Sequence, residues 1–507
     1  MVKQSKLFPV ALVILLIPGI FSLFHPGFFL TDDGNWMVIR FSAFYDALRH
    51  GQFPVRLLLR LNNGFGYPVV DFLYPLFLYL GVPIHLLGFG FVNTIKIILG
   101  LGLILSGLFS FFWLKKIFSN FPALVGGLIY ALFPYHIYDI YNRGSVGEVT
   151  ALAIVPFIFW QIEQKRSVFI ALGIGLLITA HNVLALLFLP IVFLYMYFIK
   201  KYSKKTTLFV FIEGLALSAF FWIPAFYDRQ YTVFDKTIVS DFSYYFISSI
   251  SLIGIITVIT LATSIFYLTK KIDSKLLFFF IISIISIFLA SSFSNFVWQI
   301  LPLGAFIQFP FRMISLSIIS ISFLAAYILQ NINKKYLIVF TVTSVMLIYI
   351  SSWTFFIPKK IQYLPDSFYS TNEDSTTVQN EYMPKWVKQN PNTIQKDQIS
   401  VINGEGAVNN IVKNAGGMTF DFQASSATAI QASIIYFPGW KVYINNKESL
   451  FSYDHPYGLI NFNLPHGPSH VAIVFKETPL RVTADTISVI GILILGLSPL
   501  FKKKFAL

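Results

Sequence analysis

The 507-residue chain has no cysteine, which excludes disulfide cross-links and thiolate metal sites and leaves the redox compartment open. Charge is scarce as well: 12% of residues are charged and 56% hydrophobic, more apolar surface than a soluble fold of this length buries. The surplus must face lipid. Acidic residues are the rarer sign, 23 against 37 Lys and Arg, for a formal charge of +14. That excess sits mostly in short lysine clusters beside apolar runs, where the positive-inside rule puts membrane anchors. Nucleic acid is therefore not an expected partner, whereas membrane lipids are.

Uncharged runs at 7–23, 252–268 and 336–357 approach the roughly 20 residues needed to cross a hydrocarbon core about 30 Å thick. The first lacks a small-residue cleavage site before His25-Pro26 and reads as a retained span. Inside loops are marked by Lys3 and Lys6, Lys115-Lys116, Gln164-Lys165-Arg166, 200–205, 270–275, Lys334-Lys335 and 502–504. Neighbouring clusters must enclose an even number of crossings. Three apolar stretches lie between Lys6 and Lys115, so one of them cannot span. The middle one, 69–91, carries Asp71, Pro75, Pro83 and His85 and is expected to lie along or re-enter the outer leaflet. As one helix, 168–199 would reach about 48 Å between basic flanks, so it is expected to be a hairpin broken at the outer face by His181-Asn182.

The same counting gives about twelve transmembrane helices, at about 7–24, 92–114, 121–138, 148–162, 168–180, 183–199, 206–226, 246–269, 276–292, 313–330, 336–357 and 483–500. Both termini are then cytoplasmic, and the first outside loop is long, 25–93. From Pro358 to Arg481 the chain is polar, with alternating segments at 418–422, 432–436 and 470–475 and turn signals at Asn403-Gly404 and Asn445-Asn446. An extracytoplasmic antiparallel β-sandwich is expected there. The organisation predicted is an α-helical polytopic membrane domain over 1–357, the β-sandwich over 358–481, and a final helix with a basic cytoplasmic tail over 482–507. There is no internal inverted repeat of the kind many transporters carry.

Candidate chemistry begins at Thr31-Asp32-Asp33-Gly34 in the first outside loop. Two adjacent carboxylates at a membrane surface suit a general base, although Thr31 or Asp32 would equally cap the helix that follows. Arg56, Arg60 and the segment Gly64-Phe65-Gly66-Tyr67-Pro68 come next. Arginine matches phosphate geometry and keeps its charge, yet near an interface it also snorkels to headgroups. A second outside loop is short and dense, with His136, Asp139, Tyr141, Asn142, Arg143, Gly144, Ser145 and Glu148. Ionisable groups converging at a membrane boundary point to function, with Arg143 placed for a phosphate and Asp139 and Glu148 to orient it or to bind a cation; a plain Arg143–Glu148 pair is the structural alternative. His181-Asn182 suits a sugar hydroxyl or a helix break, and Arg312 in Gln308-Phe309-Pro310-Phe311-Arg312 is a second phosphate candidate. His455, His466 and His470 lack zinc-site spacing.

Taken in order, Asp32-Asp33, Gly64 to Pro68, Tyr141-Asn142-Arg143-Gly144 with Glu148, His181-Asn182, Gln308 to Arg312, Glu381-Tyr382-Met383-Pro384 and Phe437-Pro438-Gly439-Trp440 resemble GT-C-type polytopic membrane glycosyltransferases. The closer likeness is to bacterial membrane proteins labelled 6-pyruvoyl-tetrahydropterin-synthase-related, with the YfhO-like family nearby. The resemblance implies a GT-C-like transferase of the cell membrane. It would use a polyprenyl-phosphate-linked sugar donor and an extracytoplasmic acceptor in the cell envelope, with Asp33 or Asp32 at the catalytic centre. No cofactor is implied, and a divalent cation is optional. Arg143, Glu148, Asp139, His136, His181, Asn182, Arg312, Arg56 and Tyr67 are the expected substrate-binding residues. The rival readings are a lipid or polysaccharide flippase and a non-catalytic scaffold with a glycan-binding β-domain.

Overall fold

The computed structural model describes residues 7–239, 241–393 and 397–497. The basic clusters at Lys3, Lys6 and 502–504, on which the expected side of the termini rests, lie outside them. Helices of eight residues or more are α1 (Leu7–Ile20), α2 (Gly34–Arg49), α3 (Leu76–Leu86), α4 (Phe91–Leu114), α5 (Asn120–Leu132), α6 (Val146–Glu163), α7 (Ser167–Ala180), α8 (Asn182–Leu194) and α9 (Lys204–Leu217). They continue with α10 (Ala219–Asp228), α11 (Gly254–Lys270), α12 (Ser274–Ala290), α13 (Ile314–Asn331), α14 (Leu337–Ser352) and α15 (Pro479–Leu497).

Among the described residues, eight helical segments are long and apolar enough to cross a membrane: Leu7–Phe24, Phe91–Leu114, Asn120–Arg143, Val146–Glu163, Asn182–Ile199, Pro310–Asn331, Lys334–Phe355 and Pro479–Leu497. The chain is an integral membrane protein. The expected span at 206–226 is a pair of helices bent by 71°. Those expected at 168–180, 246–269 and 276–292 fall on helices of 14, 17 and 17 residues. At 1.5 Å per residue these reach about 21–26 Å, short of the hydrocarbon thickness. The middle stretch of the first loop does not form a long helix either. It folds as the four-residue turn Val69–Phe72 followed by the 11 residues of α3.

The membrane core forms where α4 packs on α5 and α6, and α13 packs on α5 and α12. Small residues let these helices approach. Ser315, Ser317, Ser320 and Ser322 of α13 are all buried, and Ser322 donates to the Gly126 carbonyl at 2.8 Å. In an apolar solvent such contacts take the place of a hydrophobic driving force between helices.

The polar C-terminal region is built of antiparallel sheets, as its alternation implies. After the short pair β1 (Phe28–Phe29) and β2 (Ile361–Gln362) come β3 (Ile399–Asn403), β4 (Gly406–Asn414), β5 (Gly417–Ala424), β6 (Thr428–Ile435), β7 (Trp440–Ile444), β8 (Lys447–Ser449), β9 (Leu459–Leu464) and β10 (Gly467–Phe475). One sheet has the order β4-β5-β10-β7-β8 and the other β3-β6-β9. Their inward side chains, Phe420, Phe422, Val442, Val471 and Ile473 from one and Ile430, Ile434, Ile460 and Phe462 from the other, share an apolar core. The β7–β8 hairpin turns on Asn445 and Asn446, both at positive φ, as a tight hairpin of this hand requires.

The first loop and the β-region are joined into one layer. β1 pairs with β2 through Phe28–Gln362 and Phe29–Ile361. Further on, Asn63 N–H donates to Glu373 O at 2.7 Å, Lys413 Nζ to Gly64 O at 2.8 Å, and Ile435 N–H to Phe65 O at 2.9 Å. A buried ion network completes the join. Arg481 contacts Asp228 at 2.8 Å and Asp71 at 3.6 Å, while Arg56 contacts Asp485 at 2.8 Å, Glu477 at 3.2 Å and Asp71 at 3.9 Å. Removing one partner of such a network strands a charge, at a cost of about 3–5 kcal/mol. Arg481→Ala is expected to lower the thermal midpoint of the detergent-solubilised protein more than any exposed Lys→Ala control; an unchanged midpoint would rule out this network as the clamp between layers.

Candidate functional site

Between α5 and α6 the chain widens into one π-helical turn, Asp139–Arg143, and closes with Ser145 N–H on the Asp139 carbonyl at 3.0 Å. Such turns insert an extra residue and turn neighbouring side chains toward a common point. Here Asp139 and Arg143 both face the first turn of α6, where Glu148 stands. Arg143 Nη1 donates to Asp139 Oδ1 at 2.8 Å and to Glu148 Oε1 at 2.5 Å. Arg312, from the turn before α13, donates through Nε to the same Glu148 oxygen at 2.8 Å. The Tyr135 hydroxyl donates to Glu148 Oε2 at 2.9 Å, and His181 Nε2 stands 3.7 Å from Oε1. All six side chains are buried.

Each arginine is fixed on a second side. Arg312 Nη1 donates to Gln308 Oε1 at 2.6 Å and to the Ile307 carbonyl at 3.0 Å. The stacked rings of Phe309 and Phe311 lie under Arg312 and Arg143, at 4.8 and 5.1 Å from centroid to guanidinium carbon. Cation–π contact of this kind orients a guanidinium without consuming its hydrogen bonds. Among the described residues no hydrogen bond engages Nη2 of Arg143 or of Arg312. Two guanidinium edges are therefore held in place with donors to spare.

The paired aspartates of the first loop are clipped onto this cluster by backbone. Asp32 N–H donates to the Asn142 carbonyl at 3.1 Å, and Asp33 N–H to the Arg143 carbonyl at 2.9 Å. Gly144 makes the fit possible: its φ is +64°, and a Cβ there would lie 2.5 Å from Thr31 Oγ1 and 2.8 Å from the Gly34 backbone. Thr31 takes the capping role at α2, accepting Gly34 N–H at 2.9 Å. Asp33 occupies the N-cap position, but its carboxylate makes no capping bond. Its charge acts on Arg143 and on the hydroxyls of Tyr74 and Tyr382. Burial raises both phenols, that of Tyr382 to about 12, so they remain hydroxyl donors near neutral pH. Partial burial raises the Asp32 carboxyl above its usual value, against the pull of Arg143, and Asp33 raises it further.

The sequence-predicted residues thus divide. Asp32, Asp33, Asp139, Arg143, Glu148, His181 and Arg312 come together. Arg56 does not; it belongs to the clamp with Asp485 and Glu477. The Tyr67 hydroxyl pairs with Thr377 Oγ1 at 3.0 Å and accepts Tyr382 N–H at 3.1 Å. His136 is fully buried beside the Tyr130 carbonyl, and Asn182 is exposed with Oδ1 on the Val183 N–H. Two tyrosines were missed. Tyr135 adjoins the polar loop and reads as part of an apolar span, and Tyr74 reads as an interfacial aromatic. The Tyr74 ring packs 4.6 Å from that of His181, and Gly147 admits it, since a Cβ there would lie 2.0 Å from Tyr74 Cε2. Among the described residues no group of three or more His, Asp or Glu stands where it could hold a metal ion.

No family model matches the chain. An uncharacterized protein of Lactococcus lactis subsp. cremoris strain MG1363 is 27% identical over 263 residues, covering 48% of this chain and 42% of that protein, so the match spans less than half of the relative's length. Among solved structures, the apo oligosaccharyltransferase of Archaeoglobus fulgidus is similar at a TM-score of 0.46 and 12% identity, over 72% of this chain and 56% of that one. The arabinofuranosyltransferase AftD from Mycobacteria follows at 0.45 and 14%, over 71% and 27%. Likenesses of this size settle neither fold nor chemistry.

The backbone clip itself is open to test. Gly144→Ala is expected to destabilise by more than about 1 kcal/mol, because alanine fits neither the positive φ nor the space. It should also speed amide hydrogen exchange at Asp32 and Asp33 selectively; unchanged exchange at these two amides would contradict the clip.

Proposed function

We propose that the chain is a GT-C-type membrane glycosyltransferase that moves a sugar from a polyprenyl-phosphate donor to an extracytoplasmic acceptor of the cell envelope. The observation that carries this reading is the pairing of an uncommitted carboxylate, Asp33, with two guanidiniums whose Nη2 donors are unengaged at a membrane boundary. A lipid phosphate is an anion at that boundary, and planar guanidinium is the group that matches its oxygens.

In the proposed reaction the acceptor hydroxyl oxygen forms a bond to the sugar's anomeric carbon as the bond from that carbon to the phosphate oxygen breaks. The bonding electrons leave with the polyprenyl phosphate. Asp33, with Asp32 beside it, takes the acceptor proton, while Arg143 and Arg312 stabilise the charge gathering on the departing phosphate. Glu148, Asp139 and Tyr135 position the arginines, and His181 with Tyr74 walls the site. No metal is required when the leaving group is already an anion held by two cations. In this reading the clipped loop and the two sheets, forming a β-sandwich, lie outside the cell membrane. Both termini are then cytoplasmic.

The test is transfer from radiolabelled polyprenyl-phosphate sugars by purified protein in lipid. Asp33→Asn is expected to lose about 10²–10⁴-fold in rate, the range for removing a general base. Arg143→Ala is expected to lose about 10²–10³-fold, with membrane insertion intact in both. A protonated carboxyl cannot accept a proton, so the rate should fall on the acid side as the aspartate pair protonates, and Asp32→Asn, which removes the carboxyl that burial and Asp33 raise, should move that limb. Wild-type turnover by the Asp32→Ala/Asp33→Ala double variant would sink the mechanism.

A further inference from the structure

A polar cleft of about 280 Å³ opens where the first loop meets the β-region, away from the arginine cluster. It is lined by Asp46 of α2, Arg60 of the loop, Glu373, Gln398 and Lys413 of β4. Arg60 is held rigidly, with Nη2 donating to Ser42 Oγ at 2.6 Å and Nη1 to the Ser370 carbonyl. Two atoms at the cleft are buried without a hydrogen-bond partner: Arg60 Nε, a donor, and Glu373 Oε2, an acceptor. Burial also pushes the Lys413 ammonium down to about 8, as expected of a donor drawn partly out of water.

The lining identifies the ligand's chemistry. Two cations and two carboxylates sum to zero, which gives no preference for a polyanion or a polycation, and only Leu59 and Ala415 offer apolar wall. A sugar hydroxyl is both donor and acceptor, so neighbouring hydroxyls on one ring can give to Asp46 and Glu373 while receiving from Arg60, Lys413 and Gln398. Asp46 stands 13 positions along α2 from Asp33, about 20 Å at 1.5 Å per residue. A ligand held at the cleft and reaching Asp33 must be a chain of several rings.

We propose that this cleft is a binding subsite for a neutral oligosaccharide, and that the acceptor of the transfer reaction is a glycan chain anchored here. The second half rests on the transferase reading above; the first does not. A bound glycan would also bridge Asp46 and Arg60 of the first loop to Glu373 and Lys413 of the β-region, tightening the layer that carries Asp33.

Full-length protein in lipid nanodiscs is titrated with tetrasaccharides of glucose, galactose, mannose, rhamnose and N-acetylglucosamine, and with a serine- and threonine-rich peptide. Binding is read by saturation-transfer NMR and by the thermal midpoint. At least one tetrasaccharide is expected to bind and to raise the midpoint. Asp46→Asn/Glu373→Gln should weaken it about tenfold or more, as loss of hydrogen bonds to charged groups implies. The subsite is refuted if no tetrasaccharide binds, if the double variant binds equally well, or if only the peptide binds. Cleft-dependent glycan binding without transfer from any donor would remove the transferase reading and leave the subsite standing. Transfer unaffected by the double variant would refute the acceptor half of the proposal and leave the transferase reading standing.

Discussion

One carboxylate organises the interior of this protein. Glu148, fully buried in the first turn of α6, accepts from Arg143, Arg312 and Tyr135 and stands beside His181. These partners come from three separate stretches of chain, so the position of one side chain on α6 fixes where the end of α5, the α7–α8 break and the turn before α13 meet it. Burying ions among apolar helices is costly unless charges and hydrogen bonds are matched. Here Glu148 and Asp139 balance two arginines, and the phenyl rings of Phe309 and Phe311 cover their faces. An apolar cluster of equal volume would hold the helices together at least as well. Retaining the ions is understandable when their remaining donors have a task.

The second ion network does mechanical work of a different sort. Arg56 and Arg481 use their hydrogen bonds to tie the first loop, α10, α15 and the β-region into one layer, with bonds to the Phe220 and Pro438 carbonyls besides the carboxylates. The same first loop carries 31–34, whose Asp32 and Asp33 amides bond the Asn142 and Arg143 carbonyls. The clamp is remote from the charged cluster, and the cleft between Asp46 and Lys413 lies within the layer it ties.

Much of the site was legible in the sequence because polar residues are conspicuous against an apolar background. Asp139, Arg143 and Glu148 crowd a loop too short for ordinary surface decoration, and the His181-Asn182 break was visible as the polar interruption of an overlong apolar run. Arg56 misled because its partners, Glu477 and Asp485, are more than 400 residues away in sequence, and nothing local distinguishes an arginine that binds phosphate from one that clamps two layers. Tyr135 and Tyr74 were hidden for the opposite reason: a tyrosine in an apolar stretch looks the same whether its hydroxyl faces a headgroup or a buried carboxylate. Strand positions followed from period-two alternation, while helix lengths at 246–269 were overestimated because hydropathy does not register the short turns before Gly254.

The central claim is that Glu148 holds Arg143 and Arg312 with their free edges toward a lipid phosphate. Its most direct measurement is the affinity of purified protein for a polyprenyl phosphate lacking any sugar, in the wild type and in Arg143→Lys/Arg312→Lys. Lysine keeps the charge but not the planar, paired donors. The account predicts that the double variant binds at least about tenfold more weakly, a loss of roughly 1.4 kcal/mol or more. Equal affinity in the two proteins would contradict it, leaving the arginines as helix ties and the phosphate without its site.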